Sequence, residues 1–213
     1  MPADNGAAER IVWVDCEMTG LDLTADALVE IAAVVTDSEL NPLGTGVDVV
    51  IKPPPATLDA MVPLVREMHA SSGLLDEIPY GVTLAEAEAQ VLAYVRTWVP
   101  TAGKAPLAGN SVSTDREFID RDMPLFGRFL HYRTIDVSSI KELARRWFPR
   151  VYYRAPEKSG NHRALGDILD SIDELRYYRT ILFVPEPGPD SETVKRVAAE
   201  TIATSVRHAL KSA

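Results

Sequence analysis

The first 52 residues contain three apolar segments of strand length, and this pattern constrains the fold more than any other feature of the chain. The segments cover 11–15 (IVWVD), 27–37 (ALVEIAAVVTD) and 47–52 (VDVVIK). The residues that separate them include Asp, Asn, Pro and Gly, which favour turns. Because short connections join antiparallel neighbours, the pattern predicts a three-stranded antiparallel meander.

Beyond residue 52 the hydrophobic periodicity changes. Three prolines at 53–55 end the meander, because proline cannot donate to a sheet. Helices then alternate with strands: we predict helices over 84–99, 114–123, 139–148, 163–182 and 191–210, and strands over 106–109 and 132–137. The order predicts an α/β fold in one domain, with a mixed central sheet flanked by helices. We expect a flexible segment at 1–10, one domain over 11–182 and a helical extension over 183–213.

Composition narrows the class of protein. The chain is 46% hydrophobic and 25% charged, which is typical of globular domains. A single cysteine, Cys16, excludes an internal disulfide and a cysteine-based metal cluster. No apolar run approaches membrane-spanning length, and the N-terminus lacks the pattern of a signal peptide, so we expect a cytoplasmic protein.

The charge is unevenly distributed along the sequence. The formal net charge of −9 disfavours a protein that coats long nucleic acids through a broad basic surface. The segment 131–163, however, carries eight basic and three acidic residues, a local charge of +5. This segment is compatible with a small basic patch or with an ordinary solvated helix face and loop.

Two carboxylates, Asp15 and Glu17, follow the first apolar run. Residues i and i+2 of a strand face the same side, so the two carboxylates project together and Cys16 points into the opposite layer. Adjacent carboxylates repel each other unless a cation lies between them, and hard oxygen ligands favour Mg²⁺ or Mn²⁺. Acidic pairs of this kind also occur as plain surface residues, and the buried run before this pair favours the metal interpretation.

Further polar residues lie at the starts of two predicted helices. Asp115 follows the segment 109–114 (GNSVST), where an acid also complements the helix dipole. His162 lies in the loop before the long helix, and Asp167 is about one turn inside that helix. Histidine titrates near neutral pH, which suits a general base that deprotonates water. Taken singly, the ordinary interpretation is favoured for each of them: an exposed loop histidine for His162, and a helix acid for Asp115 and Asp167.

The combination is more specific than its members. Together with the histidine, the four carboxylates resemble the DEDD exonucleases of the histidine-bearing subclass: Asp15, Glu17, Asp115, His162 and Asp167. The Tyr-x3-Asp pattern of the tyrosine-bearing subclass is absent at Asp167, because residue 163 is arginine. Four blocks, at 11–22 (IVWVDCEMTGLD), 109–119 (GNSVSTDREFI), 131–149 (HYRTIDVSSIKELARRWFP) and 161–179 (NHRALGDILDSIDELRYYR), resemble the oligoribonuclease family in sequence and order.

The resemblance implies a ribonuclease H-like fold and a homodimer that degrades RNAs of two to a few nucleotides from the 3′ end to 5′-mononucleotides. It also implies two divalent metal ions, Mg²⁺ or Mn²⁺, held by the four carboxylates at the scissile phosphate, with His162 as the base that accepts the proton of the attacking water. A proofreading-type 3′–5′ exonuclease that acts on DNA ends shares these five residues. The block at 131–149 favours the oligoribonuclease, and a silent nucleic-acid-binding module is disfavoured because no carboxylate is lost.

The resemblance also assigns substrate contacts by position. Leu21 matches a leucine that wedges against the bases, and His69 matches a residue near the site. Ser111 matches part of a cap on the 5′ phosphate, and the rest of that cap would come from the partner subunit: Arg133, Ser138 and Lys141. Tyr132, also from the partner, matches an aromatic that stacks on a base. Two positions depart from the family pattern: Leu64 replaces a stacking tryptophan and Ser113 replaces a glycine.

Overall fold

A computed structural model describes residues 9–158, 160 and 162–206 of the chain. Its five strands are β1 (Ile11–Met18), β2 (Leu28–Thr36), β3 (Val47–Val50), β4 (Leu107–Gly109) and β5 (Thr134–Asp136). They form one sheet in the order β3-β2-β1-β4-β5. The first three strands pair antiparallel, whereas β4 and β5 continue the sheet in parallel from β1. The predicted mixed α/β fold is therefore confirmed.

The central strand β1 is longer than its sequence pattern indicated. It continues to Met18, three residues beyond the predicted end, so the Asp15–Glu17 pair lies inside the paired strand. Cys16 belongs to the hydrophobic core together with Val12 and Val14, as the alternation of a strand requires. The two carboxylates therefore project from the face opposite this core.

The described residues form helices α1 (Pro55–Asp59), α2 (Pro63–Ser71), α3 (Leu74–Glu77), α4 (Leu84–Trp98), α5 (Ser113–Asp122), α6 (Pro124–Phe129), α7 (Val137–Trp147), α8 (Pro149–Tyr152), α9 (Ala164–Leu182) and α10 (Ser191–Ala203). A 3-10 turn covers Ile78–Tyr80. The sequence analysis did not predict α1, α2, α3, α6 or α8. These helices have nine residues or fewer, too few for a clear apolar periodicity, and four of them begin at a proline.

The chain divides into two compact units, one up to Tyr178 and one from Arg179 onward. The second unit contains α10, which ends at Ala203 rather than at the predicted residue 210. The predicted flexible segment 1–10 lies mostly outside the described residues, as do residues 207–213. Among the helices described, none has the length and apolar character needed to cross a membrane.

Helix α4 packs on β2 and β3 and begins with a complete capping box. The Thr83 hydroxyl accepts the Glu86 N–H at 3.3 Å, and the Glu86 carboxylate accepts the Thr83 N–H at 2.9 Å. Both bonds satisfy N–H groups that the helix itself leaves unpaired. The buried Val91 and Val95 of this helix join the core under β1. The cap therefore contributes to the packing of the sheet.

We predict that Thr83→Ala lowers the free energy of unfolding by about 1 kcal/mol, because one N-cap hydrogen bond is lost. Thr97→Ala is the matched control, since Thr97 lies on the exposed side of the same helix and bonds only to the carbonyl of Ala93. Urea denaturation measures both. A smaller loss for Thr83→Ala than for Thr97→Ala would contradict the assignment of the cap.

Candidate active site

Asp15 and Glu17 project from the C-terminal part of β1, the strand at the middle of the sheet. Glu17 is only 8% exposed and Asp15 is partly buried. The regular pairing of β1 with β2 shifts between Glu17 and Met18, so the strand becomes irregular directly after the pair. Neighbouring strands hold the backbone of both residues, and their carboxylates therefore have a fixed origin.

Helix α9 brings Asp167 to the same place. One ligand oxygen from each of Asp15, Glu17 and Asp167 lies within 4.8 Å of the other two. Asp167 lies in the first turn of α9, where its N–H donates to the carbonyl of Arg163 at 3.0 Å. The structure thus gathers three of the four predicted carboxylates from positions up to 152 residues apart in sequence.

The fourth carboxylate, Asp115, is held against the backbone of β1. It lies in the first turn of α5 and is buried, and its Oδ1 accepts the N–H of Cys16 at 2.9 Å. This bond crosses from α5 to the residue between Asp15 and Glu17. Asp115 therefore adjoins the other three carboxylates and also fixes the strand that carries two of them.

Burial and mutual repulsion act strongly on this cluster. Burial, followed by the charges of Asp115, Asp167 and Glu17, raises the pKa of Asp15 to about 9. Burial is also the largest cause that raises the pKa of Glu17 to about 8 and that of Asp115 to about 6. Negative charge is thus in excess over nearby cations, and all the ligand atoms are hard oxygens. A divalent ion such as Mg²⁺ or Mn²⁺ fits this donor set.

Two histidines adjoin the carboxylates in different ways. His162 is exposed directly before α9, and its charge lowers the pKa of Asp167 against the larger raising effect of burial. His69, at the end of α2, is fully buried, and its Nε2 lies 2.8 Å from the carbonyl of Met18. Since a carbonyl only accepts, Nε2 carries a proton, and Nδ1 lies 3.9 Å from a carboxylate oxygen of Glu17.

The cap residues predicted from the resemblance lie together within a single chain. The Ser111 N–H donates to Ser138 Oγ at 3.0 Å, and the two hydroxyl oxygens are 3.1 Å apart. Ser138 thus reaches Ser111 from the same chain, whereas we expected it from the partner subunit: β4 and β5 are adjacent in the sheet, so the segments that follow them meet in one chain. Asp136 accepts N–H bonds from both serines and holds this arrangement.

Lys141, which we also expected to act from the partner subunit, makes an ion pair within its own chain. Its Nζ lies 3.1 Å from the buried carboxylate of Glu174 on α9. Glu174 also accepts from Asn110 at 3.1 Å and pairs with Lys158 at 3.4 Å. The sequence analysis missed Glu174 and Asn110, because neither lies in a charged or apolar pattern that indicates a role.

The remaining predicted contacts are exposed. Leu21 is 74% exposed after β1, and Tyr132 is 75% exposed before β5. The guanidinium of Arg133 lies 5.3 Å from the centre of the Tyr132 ring. Leu64, at the position of the family's tryptophan, is exposed on α2. These exposed side chains do not converge on one point of the described chain, so they can act together only on a ligand or with a second subunit.

A buried carboxylate in β2 escaped the sequence analysis. Glu30 is 0% exposed and lies opposite Glu17 in the register of β1 and β2. Its signal in the sequence is the lone acid in the apolar run LVEIAAVV. An ionised group in such a run has to find a partner inside the protein.

The comparisons with known proteins agree with this architecture. The sequence profile of the exonuclease family (RNase T) matches residues 12–175. The oligoribonuclease of Streptomyces avermitilis is 66% identical over 194 residues, which cover 91% of this chain and 97% of that protein. Oligoribonuclease of Cutibacterium acnes is 59% identical, over 89% of this chain and 94% of that one.

Solved structures share the fold at lower identity. Exonuclease I of Escherichia coli, in complex with a dA16 oligonucleotide, aligns with a TM-score of 0.63 at 19% identity. Exonuclease I of Methylocaldum szegediense aligns with a TM-score of 0.60 at 21% identity. The chain matches over 82% and 81% of its length, respectively, but spans only 41% of either exonuclease I chain. These likenesses support the fold assignment.

The raised pKa values predict how the metal-free protein responds to pH. A carboxylate whose pKa is raised on folding stabilises the fold most fully below its unfolded pKa of about 4, and this contribution is lost as the pH rises through the folded pKa. For Asp15 and Glu17 the loss therefore extends to about pH 8–9. We expect Asp15→Asn in EDTA at pH 8.5 to raise Tm by at least about 2–4 °C, equivalent to about 1 kcal/mol.

Differential scanning calorimetry at pH 6 and 8.5 measures this effect. Asp59→Asn, at an exposed site on α1, is the control and is expected to leave Tm unchanged. With Mn²⁺ we expect the Tm of the wild type to exceed that of Asp15→Asn, because the variant lacks one of the carboxylates that would bind the ion. A lower Tm for Asp15→Asn in EDTA would contradict the repulsion inferred for the cluster.

Proposed function

The chain belongs to the exonuclease family and, within it, to the oligoribonucleases, and from this premise we propose the substrate and mechanism of this 3′–5′ exoribonuclease. The substrates are RNAs of two to a few nucleotides, which are hydrolysed to 5′-mononucleotides. The convergence of Asp15, Glu17 and Asp167, with ligand oxygens within 4.8 Å of one another, carries the proposal. A hydrolase that acts on a phosphodiester needs such a cluster where the scissile phosphate binds.

Two divalent ions, Mg²⁺ or Mn²⁺, would be held by Asp15, Glu17, Asp115 and Asp167. When bound, they supply an attacking water of lowered pKa and offset the charge that develops on the departing 3′-oxygen. The chain's own contribution is the placement of four oxygen-donor side chains on rigid elements: two on the central strand and one in the first turn of each of two helices. Excess negative charge among these residues supports the assignment.

His162 would act as the general base. It accepts the proton of the attacking water while the water oxygen forms a bond to phosphorus, and the bond from phosphorus to the 3′-oxygen breaks. The 3′-terminal nucleotide leaves as a 5′-mononucleotide. The exposed position of His162, close enough to Asp167 to lower its pKa, supports this role.

The preference for short RNA would come from a cap on the 5′ phosphate. Ser111 and Ser138 present two hydroxyls side by side, and Lys141 lies about one helical turn beyond Ser138. A site that binds both the scissile phosphate and the terminal phosphate fixes the distance between them. Longer chains would then place an internal nucleotide where the cap closes. Leu21 would wedge against the bases. His69 is fully buried, so its proposed effect on the nucleotide would pass through the neighbouring Glu17.

We also propose that the active form is a homodimer in which Tyr132 and Arg133 reach the partner's site. Large apolar side chains are exposed along α7 and directly after it, including Leu143, Trp147 and Phe148. Leu143 and Trp147 are four residues apart and so lie on one side of the helix. Exposed apolar groups clustered in this way are typical of an interface.

The length dependence tests the substrate. With Mg²⁺ or Mn²⁺ we expect kcat/KM for a 5′-phosphorylated diribonucleotide to exceed that for a 20-nucleotide RNA by at least about 100-fold, equivalent to about 2.7 kcal/mol of transition-state stabilisation. EDTA abolishes both activities. Single-turnover assays over chains of 2–20 nucleotides, in RNA and in DNA, measure this.

The same series separates the alternatives. Equal rates on short and long RNA would contradict the phosphate cap. A preference for DNA ends would indicate a proofreading-type exonuclease. The absence of hydrolysis on every substrate would indicate a binding module.

The dimer is tested separately. We expect Leu143→Glu/Trp147→Glu to give a monomer in light scattering and to lose at least about tenfold in kcat/KM, because Tyr132 and Arg133 no longer reach a partner. Tyr80→Glu is the control, since Tyr80 is another exposed apolar side chain and lies in the 3-10 turn rather than on α7. An active monomer would refute the role of Tyr132 and Arg133 across the interface.

A further inference from the structure

Glu30 is a buried carboxylate that no step of the proposed reaction uses. It lies in the middle of β2 with 0% exposure. An ionised carboxylate in such a place is tolerated only when cations and hydrogen bonds satisfy both of its oxygens. The partners of Glu30 therefore show what this group does in the fold.

Both Glu30 oxygens bind the start of α9. Oε1 accepts from the guanidinium of Arg163, whose Nε lies at 2.8 Å and Nη2 at 2.7 Å. Oε2 accepts the N–H of Ala164, the first residue of α9, at 2.9 Å. The carboxylate thus binds a side chain and the adjacent backbone amide, so it fixes the position of the chain at this point.

Arg163 is held from its other side as well. Its Nη1 and Nη2 donate to the two oxygens of Glu77, at the end of α3, both at 2.9 Å. The guanidinium therefore bridges β2 and α3. This arrangement uses the planar fork of arginine, which can donate to two carboxylates at once, whereas a lysine ammonium cannot reproduce it. We name Glu30, Arg163 and Glu77 the α9 clamp.

The α9 clamp adjoins two residues of the proposed active site. His162 directly precedes Arg163, and its φ of +48° lies in the left-handed region that a non-glycine residue adopts only when its surroundings hold it there. On the other side, the carbonyl of Arg163 accepts the N–H of Asp167. Arg163 is therefore joined to the proposed base His162 by a peptide bond, and to the backbone of the proposed metal ligand Asp167 by a hydrogen bond.

We propose that the α9 clamp positions the catalytic residues: Arg163, held by Glu30 and Glu77, sets the backbone of His162 and the first turn of α9. This inference rests on the proposed function, because it acts through His162 as the base. None of the three clamp residues touches the reacting atoms, and Arg163 and Glu30 are positioning residues. Their effect on the reaction is expected in kcat, with substrate affinity little changed.

Simple removal of Arg163 is a poor test, because it also leaves acids unpaired. Burial and the charge of Glu30 raise the pKa of Asp48 on β3 to about 6, and the charge of Arg163 opposes this rise. Replacement of Arg163 by a neutral residue would therefore destabilise the fold as well as release His162. Arg163→Lys keeps the charge and removes only the fork, and Glu77→Gln removes only the outer contact.

A double-mutant cycle separates positioning from general stability. We compare the wild type, Arg163→Lys, His162→Ala and the double variant on a 5′-phosphorylated diribonucleotide with Mn²⁺. Arg163→Lys is expected to lower kcat by at least about tenfold and to change KM by less than about threefold. In the His162→Ala background the same change is expected to cost at least about threefold less than in the wild type, because the effect through His162 is gone and only that through the first turn of α9 remains. Equal losses in both backgrounds would overturn the proposal.

Hydrogen exchange provides a readout that does not depend on activity. The amides of Ala164 and Asp167 are expected to exchange at least about tenfold faster in Arg163→Lys, and faster in Glu77→Gln by a smaller factor, because both amides bond within the clamp. Arg176→Lys is the control: Arg176 lies on the same helix and pairs with Asp173 and the carbonyl of Leu40. Unchanged exchange at Ala164 and Asp167 would also overturn the proposal.

The two kinds of failure are distinguishable. If the wild type hydrolyses no oligonucleotide, the proposed function fails, while hydrogen exchange still decides whether the clamp holds the start of α9. If the wild type is active and the cycle is additive, the proposed function stands and the positioning role is lost. Glu77→Gln serves in the cycle if Arg163→Lys does not fold.

Discussion

The mutual repulsion of buried carboxylates at the middle of the sheet is the constraint on which the rest of the structure depends. The ligand oxygens of Asp15, Glu17 and Asp167 lie within 4.8 Å of one another, and the negative charge of Asp115 adds to the repulsion. Such a cluster opposes folding unless rigid elements hold it or cations neutralise it. The fold provides the first: a central strand paired on both sides and the first turns of α5 and α9.

The two helices that carry Asp115 and Asp167 are each attached to the sheet by a buried hydrogen bond, and this explains how repelling groups remain together. Asp115 is bonded to the N–H of Cys16, so α5 cannot move away from β1 without losing a buried hydrogen bond. At the other helix, Glu30 binds both Arg163 and the amide of Ala164. The two attachments act on opposite sides of β1. Only one of these interactions, the bond from the Cys16 N–H to Asp115, uses a carboxylate oxygen of the cluster. The others fix the position of the cluster through neighbouring groups.

The sequence predicted the parts of the site that depend on local pattern. Alternation along β1 placed Asp15 and Glu17 on one face and Cys16 in the core, and the helix start at Ala164 placed Asp167 one turn inside. Local patterns of this kind did not predict the contacts between segments that are distant in sequence. The register of β1 with β2 sets Glu30 opposite Glu17, and the pairing of β4 with β5 brings Ser138 to Ser111 within one chain.

These long-range contacts also change the interpretation of the basic segment 131–163. Arg145 and Arg146 both pair with Glu142, and Arg163 pairs with Glu30 and Glu77.

Two further cations of that segment, Lys141 and Lys158, share the buried Glu174. Five of its eight basic residues are therefore already in ion pairs, so the local charge of +5 is far from a free patch. Two lysines on one carboxylate still leave a net positive charge beside the hydroxyls of Ser111 and Ser138. A charge this small can bind one phosphate but cannot hold a long backbone, whose affinity grows with the number of phosphates neutralised. The electrostatics of the protein thus favour the short substrates that we propose.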